Sequence, residues 1–139
     1  MQEDVLTVSR LTLGLVLACV TAGCGILDPT VCTADARPGI QVALLDSISG
    51  APVRGQVRVV VRDGSVTEEF DSQDVPLPAG ADPDSVVFGP IFMAYERPGL
   101  YEVTVEAPNY RLWQVTDLRV RADECHVQTA ELTALLQAE

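Results

Sequence analysis

The chain has 139 residues and a formal net charge of −11, and all 9 of its positively charged residues are arginine. This balance argues against a protein that binds phosphate backbones, which needs a basic surface, so we expect no nucleic-acid partner. A hydrophobic fraction of 47% indicates one globular domain, and 1 histidine and 4 cysteines leave little material for metal or catalytic-triad chemistry.

The beginning of the chain has the pattern of an export signal. Arg10 precedes an apolar run, residues 11–20, that carries no charge. This run is too short to span a bilayer core, which needs about 20 residues, but it matches the hydrophobic region of a secretory signal. The small residues 21–23 then lead to Cys24. This stretch resembles the lipobox of bacterial lipoproteins, in which a peptidase cuts before the cysteine and the cysteine carries the lipid.

The lipobox resemblance implies a signal peptide over residues 1–23 and a lipidated Cys24 that opens a tether over residues 24–38. An acidic domain is repelled by an anionic membrane surface, so we expect acyl chains on Cys24 to hold it at the membrane. The implied location is the cell envelope, with the domain facing the periplasm or the exterior. Gly25 after the cysteine is typical of outer-membrane lipoproteins where the source has two membranes.

Three features leave alternatives open at this end of the chain. Thr21 stands where the lipobox usually has leucine, and the segment before Arg10 is acidic rather than basic. A true start near Val8 would explain the acidic segment, and Cys19 is a second candidate for lipidation. A plain signal peptide without lipid is the remaining alternative.

The two other cysteines bracket almost the whole domain. In an exported protein, an even number of cysteines is interpreted first as evidence of a disulfide. We therefore predict a bond between Cys32 and Cys125 that ties the segment after the tether to the start of the last strand. His126 stands beside Cys125, but neighbours in a strand point to opposite faces. We predict no catalytic residue at this position or elsewhere.

From residue 39 onward the pattern predicts short β-strands. Residues 40–46 alternate loosely, residues 53–62 are rich in valine, and Asp63-Gly64 is a hairpin signal with a returning strand at 66–70. Residues 71–84 contain three prolines and four aspartates and should form the longest loop.

The second half of the domain predicts more strands. Residues 100–106 alternate cleanly, which places Tyr101, Val103 and Val105 in the core and the glutamates between them in water. Apolar segments at 86–88, 91–93, 112–115 and 118–121 predict further strands. The tail over 127–136 fits a strand or a helical stripe, and we favour a strand because no helix cap is evident. An all-β, seven-stranded antiparallel sandwich over residues 39–139 follows.

Two stretches resemble a known family. Residues 39–46 form a hydrophobic strand that ends in aspartate and is followed by Gly50-Ala51-Pro52-Val53-Arg54-Gly55, and residues 97–110 have the order Pro-Gly-x-Tyr-x-Val-x-Val-x-Ala-x-Asn-Tyr. Together they resemble carboxypeptidase regulatory-like domains. The resemblance implies a transthyretin-like sandwich and an accessory module without shared catalytic residues. Asn109 replaces the family's usual glycine, but asparagine tolerates a left-handed conformation.

These observations favour a non-catalytic interaction or structural module of the cell envelope, whose partner is an envelope protein or a glycan. Its edge strands offer a place for a partner strand. The alternative is a carbohydrate-binding module in which exposed Trp113 and Tyr110 stack on a sugar ring. A position of Trp113 in the core would argue against this alternative, since a single tryptophan is usually part of the packing.

We expect no enzyme activity, no cofactor and no metal. One histidine cannot make the usual zinc ligand sets, and the aspartates of residues 71–84 do not have the spacing of an EF-hand. The enzyme-class alternative is a hydrolase that uses His126.

Overall fold

Eight strands and two short 3-10 turns make up the part of the chain that the structure, a computed structural model, describes: residues 30–64 and 66–139. The strands are β1 (Ile40–Asp46), β2 (Arg58–Asp63), β3 (Val66–Asp71), β4 (Ile91–Met93), β5 (Gly99–Glu106), β6 (Trp113–Ala122), β7 (Val127–Gln128) and β8 (Ala130–Leu136). The predicted signal peptide, the lipidation at Cys24 and the alternative at Cys19 lie outside the described residues. No helix within the described residues is long and apolar enough to cross a membrane.

The strands form two sheets of a β-sandwich. One sheet has three strands in the order β4-β1-β8, and the other has five in the order β3-β2-β5-β6-β7. The prediction of seven antiparallel strands was wrong in two respects. The tail predicted as one strand over residues 127–136 is two strands, β7 and β8, because β7 joins the five-stranded sheet and β8 the three-stranded one. The structure also pairs β1 with β8 in parallel, with Ile40 opposite Ala130 and Asp46 opposite Leu136.

The middle of the chain departs from the predicted strands in two places. The predicted strands at 112–115 and 118–121 are one strand, β6, because a bulge opposite β5 absorbs the break in the pattern. Asp117 lies in this bulge with a φ of 58°. The apolar residues 86–88 make only an isolated bridge between Arg54 and Val87. They belong to the connection over residues 72–90, which is the longest between the described strands.

The core lies where the alternating faces of the two sheets meet. Tyr101, Val103 and Val105 are 2%, 0% and 0% exposed, which confirms the predicted inward face of β5. On β8, Ala134 and Leu136 are fully buried, so the tail is a strand and not a helix. Burial of each such valine or leucine side chain contributes roughly 1.5–3 kcal/mol.

The sandwich has two distinct ends. At one end, which we call the disulfide end, residues 32–39, 94–98 and 123–127 meet, for example where the Gly39 N–H donates to the Ala94 carbonyl at 3.1 Å. At the other, which we call the loop end, residues 47–57, 72–90, 107–112 and 137–139 meet. Here the Gly55 N–H donates to the Val86 carbonyl at 2.9 Å, and the Arg111 N–H donates to the Gln137 carbonyl at 2.8 Å.

Candidate functional site

A disulfide closes one end of the sandwich. The Sγ atoms of Cys32 and Cys125 are 2.03 Å apart, as predicted from the sequence. Cys125 lies in a tight turn between β6 and β7, in which Oδ1 of Asp123 accepts the N–H groups of Cys125 and His126, both at 2.9 Å. These two backbone hydrogen bonds, the one from His126 first, lower the pKa of Asp123 from its ordinary value.

His126 is the centre of a hydrogen-bonded series at the same end. Its Nε2 lies 2.9 Å from Oγ1 of Thr33, and its Nδ1 lies 2.9 Å from Oε1 of Glu96. Glu96 also accepts the N–H of Arg37 at 2.7 Å and the N–H of Val127 at 3.3 Å. The hydrogen bond from Arg37, followed by the one from His126, lowers the pKa of Glu96.

The series hydroxyl, imidazole, carboxylate has the order found in nucleophilic catalysis. The sequence analysis considered His126 but missed Thr33 and Glu96, since both are far from it along the chain and no local motif joins them. The contacts of His126 have a clear structural role. Both nitrogen atoms of its ring are hydrogen-bonded, and its side chain is only 10% exposed. Together these contacts fix the segment that begins at Cys32 against the β4–β5 connection.

Two adjacent glutamates on β3 serve opposite faces of the five-stranded sheet. The carboxylate of Glu68 accepts the N–H of Ala94 at 3.1 Å and forms an ion pair with Arg97. Glu69 faces the other way and pairs with Arg58 at 2.6 Å, which lowers the pKa of Glu69. The two carboxyl groups therefore do not form an acid–base pair.

Trp113 lines a cavity near the loop end of about 280 Å³, the Trp113 cavity, whose other lining residues are Arg111, Leu112, Gln114, Leu135 and Gln137. Trp113 itself is partly buried and packs against the core. Leu112 and Leu135 are 58% and 50% exposed, so the rim of the cavity is partly apolar. The side chain of Trp113 therefore contacts both the core and an open cavity, and its predicted role in binding a sugar stays a prediction.

Tyr110, the second predicted ligand-binding residue, does not line this cavity. Its hydroxyl donates to Oδ2 of Asp46 at 3.2 Å, and its ring packs against the core. Burial, followed by this hydrogen bond, raises the pKa of Tyr110. The backbone bridge between Tyr110 and Ala138 places the tyrosine beside the chain end. Among the residues that line the Trp113 cavity, Arg111 and Gln114 could have been found from the sequence, because they lie close to Trp113 in the chain. Gln137 could not, because only the fold brings it next to Trp113.

Two of the four aspartates over residues 71–84 cap short 3-10 turns. Oδ1 of Asp71 accepts the N–H of Gln73 at 2.9 Å, and Oδ1 of Asp82 accepts the N–H of Asp84 at 3.1 Å. Across the described ranges, no three histidine, cysteine or acidic side chains are grouped so that they could hold a metal ion. A second cavity of about 270 Å³ lies beside this loop, lined in part by Gln56, Arg58 and Glu106.

The chain was also compared with known proteins. No protein family, curated protein or solved structure matches it. The resemblance to carboxypeptidase regulatory-like domains therefore stays a prediction that rests on the two stretches quoted above.

Proposed function

We propose that this protein is a lipid-anchored β-sandwich of the cell envelope that acts as a non-catalytic interaction module. The observation that carries the proposal is the Cys32–Cys125 disulfide at one end of the sandwich. Cys24, the proposed site of lipid attachment, precedes Cys32 by eight residues. A lipid on Cys24 would therefore reach the domain at its disulfide end, which leaves the loop end free to meet a partner.

The disulfide supports an envelope location, and the net charge bears on how the protein would be attached. Disulfides persist in oxidising compartments and are rare in the cytosol. The net charge of −11 opposes direct adhesion to an anionic membrane, so attachment would depend on the lipid. The eight residues from Cys24 to Cys32 span at most about 29 Å when fully extended, which would keep the domain close to the membrane surface.

The lipid anchor is tested by exchanging the two candidate cysteines separately. We expect Cys24→Ser to abolish incorporation of labelled palmitate and to release the protein from the membrane fraction. Cys19→Ser is the matched control and should leave both properties unchanged. Labelling that persists in Cys24→Ser and disappears in Cys19→Ser would move the anchor to Cys19, and labelling in neither parent nor variants would refute lipid anchoring.

A second candidate function is carbohydrate binding at the Trp113 cavity. The observation that favours it is an indole beside two side-chain amides, since aromatic faces stack on sugar rings and amides hydrogen-bond to hydroxyl groups. Trp113 is the single tryptophan of the chain, so its fluorescence reports on this cavity alone. A spectral shift or quenching by envelope glycans would support the candidate, and an emission unmoved by sugars would oppose it.

A further inference from the structure

We propose that the Trp113 cavity takes a sugar that bears a carboxylate, and that Arg111 binds this carboxylate. The inference rests on the carbohydrate-binding candidate above and deepens it by naming the class of sugar. A binding site for such a sugar requires an unpaired cationic side chain for the carboxylate, an apolar surface for the sugar ring, and polar groups for the hydroxyl groups.

Arg111 supplies the cation. Its side chain is exposed and has no hydrogen bond or ion pair with any described residue, whereas Arg58 and Arg97 are both paired with glutamates. A guanidinium group binds a carboxylate with two parallel hydrogen bonds, which fixes orientation as well as charge. Arg119 and Arg121 also lack an ion pair within the described ranges, but they line a different surface depression that has no aromatic residue.

Trp113 and its neighbours supply the remaining contacts. The partly exposed indole, with Leu112 and Leu135 at the rim, offers an apolar surface for the C–H face of a sugar ring. The side chains of Gln114 and Gln137 each provide two N–H donors and one carbonyl acceptor. A volume of about 280 Å³ is small for a ligand pocket and suits one terminal sugar unit.

The backbone around the cavity is held in place before any ligand binds. The Arg111 N–H donates to the Gln137 carbonyl at 2.8 Å, and the Glu139 N–H donates to the Asn109 carbonyl at 3.0 Å. These bonds join the start of β6 to the end of β8, so Arg111 and Gln137 lie on one joined framework. A preformed site loses less conformational freedom on binding.

The experiment titrates the full-length protein with two glycosides that differ only in the carboxylate. Methyl β-D-glucuronide and methyl β-D-glucoside are added separately while the Trp113 fluorescence is followed. We expect the glucuronide to bind at least about tenfold more tightly, which corresponds to ~1.4 kcal/mol. A uronate-containing oligosaccharide is titrated as a third ligand. A site for a polysaccharide should bind it much more tightly than the monosaccharide, whereas a site for a free sugar acid should not.

Variants assign the preference to Arg111. We expect Arg111→Gln to reduce glucuronide affinity to that of the glucoside, while Arg121→Gln, the matched control, leaves it unchanged. Arg111→Lys keeps the charge but loses the paired hydrogen bonds, so it should bind with intermediate affinity. Circular dichroism and the fluorescence of the free variants check that the fold is retained.

The outcomes separate the two levels of the proposal. Equal binding of both glycosides, unaffected by Arg111→Gln, would overturn the carboxylate preference and leave carbohydrate binding intact. No response to any of the three sugars would overturn the carbohydrate candidate together with this inference. Neither result would bear on the proposed lipid anchor, which is tested separately by the Cys24→Ser variant.

Discussion

Cys32 and Cys125 stand 93 positions apart in the chain, yet their Cα atoms are 5.2 Å apart and their sulfur atoms are bonded. The same segment of chain is held again where Thr33 meets His126 and where Arg37 meets Glu96. Three consecutive attachments thus fix the segment through which the proposed tether enters the domain.

Removal of the disulfide should weaken the domain without changing its fold. The bond closes a loop of 93 residues, and loss of a native disulfide from a small exported domain costs about 2–5 kcal/mol. We expect the double variant Cys32→Ser/Cys125→Ser to lower the free energy of unfolding by this amount in urea denaturation. Dithiothreitol should destabilise the parent protein similarly and leave the variant unchanged. Equal stability of parent and variant would contradict a structural role for the bond.

The hydrogen bonds to Glu96 and Asp123 predict a loss of stability in acid. Both carboxyl groups have pKa values lowered by backbone N–H donors, from ordinary values of 4.5 and 3.8. Their contribution is therefore present above these ordinary values and is lost as the pH falls through the lower pKa values of the folded state. We expect the thermal midpoint to fall as the pH drops below the ordinary values of 4.5 for Glu96 and 3.8 for Asp123.

Glu96→Gln should flatten this acid-induced decrease, because glutamine does not titrate. Glu131→Gln is the matched control, since the side chain of Glu131 is exposed and makes no hydrogen bond or ion pair with a described residue. The measurement is the thermal midpoint from pH 2 to pH 7 for the parent and both variants. An unchanged slope in Glu96→Gln would show that the carboxylate contributes nothing to this dependence.

The adjacent glutamates of β3 should differ in their effect on stability. Glu68 accepts the N–H of Ala94, a residue with a φ of 56°, and it also binds Arg97. We expect Glu68→Gln to cost about 1–3 kcal/mol, because the hydrogen bonds with Ala94 and Arg97 lose the negative charge of their acceptor. Glu69→Gln should cost less than about 1 kcal/mol, since it removes an exposed ion pair. Urea denaturation of both variants checks the order, and the reverse order would contradict the assignment of faces.

Asn109 should tolerate glycine and reject a β-branched residue. Its φ is 65°, as expected for the position where the resembled family has glycine. Asn109→Gly should change the free energy of unfolding by only a few tenths of a kcal/mol, whereas Asn109→Val should cost about 1–2 kcal/mol in the left-handed conformation. Thermal unfolding of the two variants provides the measurement. A valine variant as stable as the glycine variant would indicate that this turn is free to change its conformation.

Features with a local signal were predictable from the sequence. The alternation of Tyr101, Val103 and Val105 predicted a core face, and the predicted export signal together with the two remaining cysteines predicted the disulfide. Asp63-Gly64 predicted the hairpin, which the structure places between β2 and β3 with Asp63 opposite Val66. Each of these conclusions needs only neighbouring residues or a residue count.

Features that depend on distant residues were not predictable. The parallel pairing of β1 with β8 joins strands from the two ends of the domain, and the residue pattern of neither strand indicates its partner. Likewise, nothing near His126 in the sequence indicates that Thr33 and Glu96 will bond to its ring. Gln137 reaches the Trp113 cavity only because β8 ends beside the start of β6. Such juxtapositions follow from the topology and not from any local pattern.

The intact mass of the natively expressed, membrane-extracted protein tests the central claim most directly. We predict the mass of residues 24–139 plus acyl chains, rising by two hydrogen atoms on reduction of the Cys32–Cys125 bond. An unacylated mass would contradict a lipid-anchored module, and a mass that reduction leaves unchanged would contradict the Cys32–Cys125 disulfide.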